Sequence, residues 1–264
     1  MAIWLNQLGT GTGIDCGMIC SASVAAADNF TVAAWVYPTS WTGGAGAITT
    51  GGGGITTAWM VFCGGGPETE TVGLNAPWML CIISSSRVIG LDWEDRSTGL
   101  NHPVSGATAL VLNQWQHLCV TYNGTSGTSS IYYNGNLDSI ATNTGAGNVK
   151  FPDTSSRQKI GIGCTITSAG VKTGTFVGYI ADCALWKTDL TSADIAQLGK
   201  SNMKGMAYQV QPKYLHLYYP LDEVQTGYNG PTTPGFYKNR TWVSASGTAV
   251  GNMIGVGESH NSYL

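Results

Sequence analysis

The feature that most constrains the fold is Phe176–Leu198, an alternating stretch that reads as a strand running straight into a short helix. Phe176, Gly178, Ile180, Asp182, Ala184 and Trp186 fall on one face of an extended chain, and Val177, Tyr179, Ala181, Cys183 and Leu185 on the other. Both faces are largely apolar, which places this strand deep within a sheet. Thr191 followed by Asp194 has the spacing of a capping box and predicts a helix over Ser192–Leu198, the one convincing helix of the chain.

Strand signals recur on both sides of it, separated by turn-forming clusters. Phe30–Tyr37 alternates and ends at Pro38, and Ala58–Cys63, Trp78–Ile83, Arg87–Trp93 and Trp115–Tyr122 follow. Gly43–Gly54 reads as a surface loop rather than a phosphate cradle, since neither a lysine nor a helix follows it. Ser130–Tyr133 meets Asn134-Gly135, the strongest short hairpin signal, with a partner strand beginning near Asn136. Lys159–Gly163 and Tyr214–Tyr219 complete the set, and residues 225–240 form an irregular excursion. The expectation is all-β: a sandwich over residues 1–211, with residues 212–264 as strands and loops packed on the same domain.

Composition narrows the partners. Charged residues make up 10% of the 264-residue chain and the net charge is −3, against about 25% charged residues in ordinary soluble domains. There is no basic run to neutralise phosphates, so nucleic acid is not an expected partner. No stretch approaches the roughly 20 apolar residues needed to cross a bilayer, so membrane insertion is not expected either. Met1–Gln7 lacks the charged start and apolar core of a secretion signal. Seven cysteines, an odd number, sit mostly inside apolar strand-like runs and predict reduced thiols in a reducing compartment.

Three blocks together resemble the laminin G-like, concanavalin A-like lectin-glucanase jelly-roll family, taken here as a phage virion version. They are Phe30–Trp41, Asn113–Gly124 with the Tyr132-Tyr133-Asn134-Gly135 hairpin, and Phe176–Leu198. Leu217–Glu223 is similar to an element found beside such domains, so the likeness spans residues 28–223. The resemblance implies two packed antiparallel sheets and loops that bind sugars, sometimes through calcium. Where the family commonly has adjacent acids in its last long strand, this chain has Ala181-Asp182, one carboxylate short. No cofactor is expected; calcium is the one ion the resemblance allows, and no metal ligands are assigned.

Retaining glucanases of this architecture need alternating carboxylates on one strand face, about 5 Å apart. Asp92, Glu94 and Asp95 are the nearest cluster, without a third acid at the required spacing, and are carried forward as ligand-binding candidates rather than catalysts. Trp41, Trp59, Trp78 and Trp93 border loops and are the candidate sugar platforms, whereas Trp35, Trp115 and Trp186 are assigned to the core. His117 and His216 are expected to hydrogen-bond at a core edge. The resulting expectation is a non-enzymatic β-sandwich on a bacteriophage virion, as capsid decoration, fibre or tail accessory. Its partners would be virion structural proteins or further copies as a homo-oligomer, with glycans as ligands and the host cytoplasm as the place of synthesis. The alternative is an extracellular carbohydrate-binding or adhesion module of a secreted cellular protein.

Overall fold

A computed structural model describes residues 3–5, 18–21, 29–47, 54–64, 78–93, 101–142, 159–166, 172–204 and 206–221. Two antiparallel sheets of seven strands each stack face to face. The first runs β1 (Ile3–Leu5), β15 (Gly178–Trp186), β3 (Asn29–Pro38), β9 (Gln116–Asn123), β10 (Thr128–Tyr133) and β11 (Asn136–Thr142), with β16 (Leu215–Tyr219) also on β15. The second runs β2 (Met18–Ser21), β12 (Lys159–Ile162), β5 (Thr57–Gly64), β6 (Trp78–Ile83), β7 (Val88–Asp92) and β8 (Val104–Ala109), with β4 (Gly46–Ala47) on β5. A separate pair joins β13 (Thr165–Ile166) to β14 (Lys172–Thr173). The jelly-roll sandwich expected from the sequence is the fold observed.

The stretch that predicted a deep strand is β15. Its whole length pairs with β3 on one side, while β1 takes Gly178–Ile180 and β16 takes Cys183–Trp186 on the other. Its alternation is not continuous, however. A bulge lies between Ala181 and Ala184, and Asp182 adopts a positive φ of 58° there. One extra residue in a strand reverses the side-chain alternation beyond it. Ile180, Cys183 and Leu185 therefore point into the space between the sheets, and Ala184 and Trp186 point out.

Between the sheets, Phe30, Val32 and Val36 of β3 and Leu118 and Val120 of β9 meet Trp78, Leu80 and Ile82 of β6. Each fully buried side chain of this size stabilises the fold by about 1.5–3 kcal/mol. The outer face of the first sheet carries a second apolar cluster, because the chain after β15 folds back over it. Helix α1 (Ser192–Leu198) starts at the predicted capping box, where Thr191 Oγ1 accepts from the Asp194 amide and Asp194 Oδ2 accepts from the Thr191 amide. The single-turn helices η1 (Ser201–Met203), η2 (Ala207–Gln209) and η3 (Pro212–Tyr214) follow. Together they lay Ile195, Leu198, Met203 and Val210 on Ala33, Cys119, Ala184 and Trp186.

The hairpin signal is also borne out: Asn134 and Gly135 both take positive φ between β10 and β11. The predicted loop Gly43–Gly54 is partly sheet, since Gly46 and Ala47 pair with Ala58 and Thr57; residues 48–53 lie outside the described residues, as do residues 225–240. Cys63, Cys81, Cys119, Cys164 and Cys183 are buried, and burial pushes the Cys63 thiol up to about 12.

At the open edge of the sandwich the two sheets are joined by one carboxylate. Asp138 of β11 accepts from the backbone amides of Ala107 and Thr108 on β8, and from the Thr108 hydroxyl. This occupies donors that an edge strand otherwise offers to other chains. Asp138→Ala is expected to lower unfolding free energy by about 1–3 kcal/mol in urea titration, whereas an unchanged midpoint would show that the edge needs no such tie.

Candidate functional site

Three of the four tryptophans that border loops in the sequence are interior. Trp78 and Trp93 expose 0% of their surface and Trp59 exposes 3%. Trp93 lies 4.3 Å from the Tyr122 ring and 4.4 Å from that of His102, and Trp78 lies 4.9 Å from Phe62. Trp59 donates its indole N–H to the Gly43 carbonyl at 2.7 Å. None of the three offers a face to a sugar ring, which corrects the loop-side exposure expected of them: Tyr122 and His102 pack on Trp93, Phe62 on Trp78 and Trp41 on Trp59. Trp41 keeps partial exposure, 5.1 Å from Trp59. Its loop depends on Gly44, with φ of 75° and a Cβ position only 2.0 Å from the Thr175 carbonyl oxygen, so any side chain there displaces the turn.

The acidic candidates divide likewise. Asp92 is 0% exposed, and its Oδ2 accepts the Ile55 amide at 2.7 Å beneath Gly54. Glu94 and Asp95 lie outside the described residues. Calcium requires six to eight oxygen ligands, and among the described residues no three acidic, histidine or cysteine side chains gather at one point. Asp92 Oδ2 is turned to an N–H donor, which a cation would repel.

A partly exposed aromatic row lies elsewhere, on the outer face of the first sheet beyond the reach of the α1 cap. Tyr37 of β3 and Tyr179 of β15 are direct cross-strand partners, with ring centroids 5.7 Å apart and edge to face. Trp115, just before β9, lies 5.7 Å from Tyr37 and 6.5 Å from Tyr179. Tyr179 is 36% exposed, and Tyr37 and Trp115 are half-buried. The assignment of Trp115 to the core is thus corrected: it stands at the margin of the sheet, where the covering helices have ended.

Trp115 is held by the loop before it. The buried Gln116 side chain accepts from the Val111 amide at 2.9 Å and donates to the Val111 carbonyl at 2.8 Å, closing that loop on itself. The Tyr133 hydroxyl donates to the same Gln116 oxygen at 2.8 Å, and the Asn113 amide donates to the Pro38 carbonyl at 2.8 Å. Lys204, in the turn after η1, sets its ammonium 3.8 Å over the Trp115 ring, a cation–π contact. Partial burial draws the Lys204 pKa down, opposed by the nearby Asp182 carboxylate.

Directly behind this row, Trp35 and His117 are cross-strand partners with rings 5.2 Å apart. They are 4% and 2% exposed. Trp35 Nε1 and His117 Nδ1 have no hydrogen-bond partner among the described residues, so the hydrogen bond expected of the His117 side chain is not seen at Nδ1. Leaving such a group unpaired costs about 1–3 kcal/mol. Burial lowers the His117 pKa to about 3, so the ring is neutral at physiological pH. Partly exposed rings fixed by sheet register suit the apolar C–H face of a pyranose. An open groove of about 390 Å3 on the cap, lined by Tyr208, Pro212, Lys213 and Leu215, lacks that fixed array.

The profile of the concanavalin A-like lectin/glucanases superfamily matches residues 9–196. Among solved structures, the chain is similar to the Ruminococcus gnavus IT-sialidase CBM40 at 13% identity, covering 67% of this chain and 85% of that one, with a TM-score of 0.52. The same domain bound to alpha2,3 sialyllactose gives 13% identity, 66% and 84% coverage and a TM-score of 0.51. A heptameric SAP-like pentraxin from Limulus polyphemus gives 17% identity, 70% and 76% coverage and a TM-score of 0.48. No curated protein matches. At these identities the structural likeness is one of fold.

The buried imidazole has a measurable consequence. Its folded pKa of about 3 lies below the 6.5 of an unperturbed histidine, so between those values the unfolded chain binds a proton that the folded one refuses. Stability contributed in this way is complete above the higher value and declines as pH falls, by about 1.4 kcal/mol per pH unit. His117→Gln is expected to reduce the slope of unfolding free energy against pH across this window by about that amount. Parallel profiles for the two proteins would contradict the assignment.

Proposed function

The chain belongs to the concanavalin A-like lectin/glucanase superfamily, and from that premise we propose that it is a non-catalytic glycan-binding sandwich. The observation that carries this reading is the partly exposed row Tyr37–Trp115–Tyr179 on the uncovered part of the first sheet. Sugar rings stack on such faces through their C–H surfaces, and the sheet fixes the rings before the ligand arrives, which limits the entropy lost on binding. The non-catalytic part of the reading is supported by Asp92, which is enclosed under Gly54 and hydrogen-bonded to the Ile55 amide. A glycosidase carboxylate must reach the scissile bond.

We place this module on the surface of a bacteriophage particle, as a decoration, fibre or tail accessory assembled with capsid proteins or with its own copies. The buried thiols of Cys81, Cys119 and Cys183 support that setting, because they suit folding in a reducing cytosol followed by work outside the cell. Antibody labelling of particles from the genome that carries this gene is expected to decorate their surface; unlabelled particles with intact capsids would exclude it. Glycan binding is tested separately. Trp115→Ala is expected to weaken binding on a glycan array at least tenfold with near-native thermal stability, and undiminished binding would remove this surface from consideration.

A further inference from the structure

We propose that this surface, if the glycan reading above holds, selects saccharides that carry a carboxylate, with Lys204 as the specificity-determining residue. The ammonium of Lys204 lies 3.8 Å over the Trp115 ring, on a face that a stacking sugar needs. A ligand entering there has to displace the cation, and the outcome depends on the charge of the ligand.

A neutral sugar gains the aromatic face but forfeits the cation–π contact, with nothing to receive the displaced ammonium except water. A uronate-type sugar gains the same face and also offers its carboxylate to that ammonium, replacing one electrostatic partner with a stronger, hydrogen-bonded one. Discrimination is the difference between these two exchanges. The latch is delivered by the fold: Met203, buried in the cap cluster, anchors the turn immediately before Lys204. Asp182 lies close enough to attract Lys204 electrostatically, yet it is 3% exposed in the β15 bulge. It steadies the cation from the sheet side and leaves the solvent side for the ligand.

The test uses the whole chain against an array of matched oligosaccharide pairs, each a neutral hexose oligomer and its C6-oxidised uronate of the same length and linkage. The wild-type protein is expected to bind the uronate about tenfold more tightly, with that preference falling as salt is raised. Lys204→Gln is expected to weaken uronate binding about tenfold and to strengthen neutral binding two- to threefold, because the Trp115 face is then uncovered. Lys204→Arg should keep the preference. Trp115→Ala serves as the separate probe of the platform. If Trp115→Ala abolishes binding while Lys204→Gln changes both members of each pair equally, the carboxylate inference is overturned and the glycan reading stands. If no glycan binds, or binding ignores Trp115→Ala, the reading of this surface is overturned and the inference with it.

Discussion

The antiparallel pairing of β15 with β3 is the constraint on which the rest of the structure depends. It sets Gly178 opposite Pro38, Tyr179 opposite Tyr37 and Trp186 opposite Thr31. Ile180 and Leu185 are thereby placed against the second sheet and Trp186 against the cap. The bulge at Ala181–Ala184 lets one strand serve both halves of this arrangement. Before it, the outward residues are Tyr179 and Ala181; after it, they are Ala184 and Trp186. The left-handed backbone at Asp182 is the local cost, and the Asp182 amide donates to the Pro220 carbonyl at 3.0 Å, closing the backbone there.

That pairing also divides the outer face of the first sheet. The segment after β15 returns over the Trp186 end, where the Trp186 indole N–H donates to the Val210 carbonyl at 2.8 Å and fixes the cap. The cap reaches as far as Lys204, whose ammonium meets the last ring it can touch, Trp115. Beyond lie Tyr37 and Tyr179, apolar enough to pack yet left partly in water. Covered and uncovered halves therefore follow from the length of one connection, and the proposed ligand surface lies on the uncovered half.

Much of the scaffold was legible in the sequence because it is written in local patterns. Alternation in Phe30–Tyr37, the Asn134-Gly135 turn and the Thr191 to Asp194 capping box each correspond to an observed element. Strand β8 was not, since Val104-Ser-Gly-Ala-Thr-Ala109 lies at an exposed edge and lacks the branched apolar residues that mark interior strands. The bulge in β15 was hidden too: alternation alone cannot show where one residue is added. The exposure of the candidate residues was read less well, for a related reason. Proximity to a loop in sequence does not say whether a side chain is exposed or buried, and Trp78 and Trp93 are buried. Trp115 reads as a strand residue, but its exposure is decided by where a distant segment stops, at residues 201–204.

The central claim is that ligand meets the protein at the uncovered end of the first sheet and not at the buried tryptophans. It is tested most directly by following the tryptophan indole N–H signals in 1H–15N spectra while a bound glycan is titrated. The account predicts that the Trp115 signal moves most, with that of its neighbour Trp35 following. The signals of Trp59, Trp78, Trp93 and Trp186 should hold their positions. Shifts confined to Trp41 and Trp59, or to Trp78 and Trp93, with Trp115 unmoved, would contradict it.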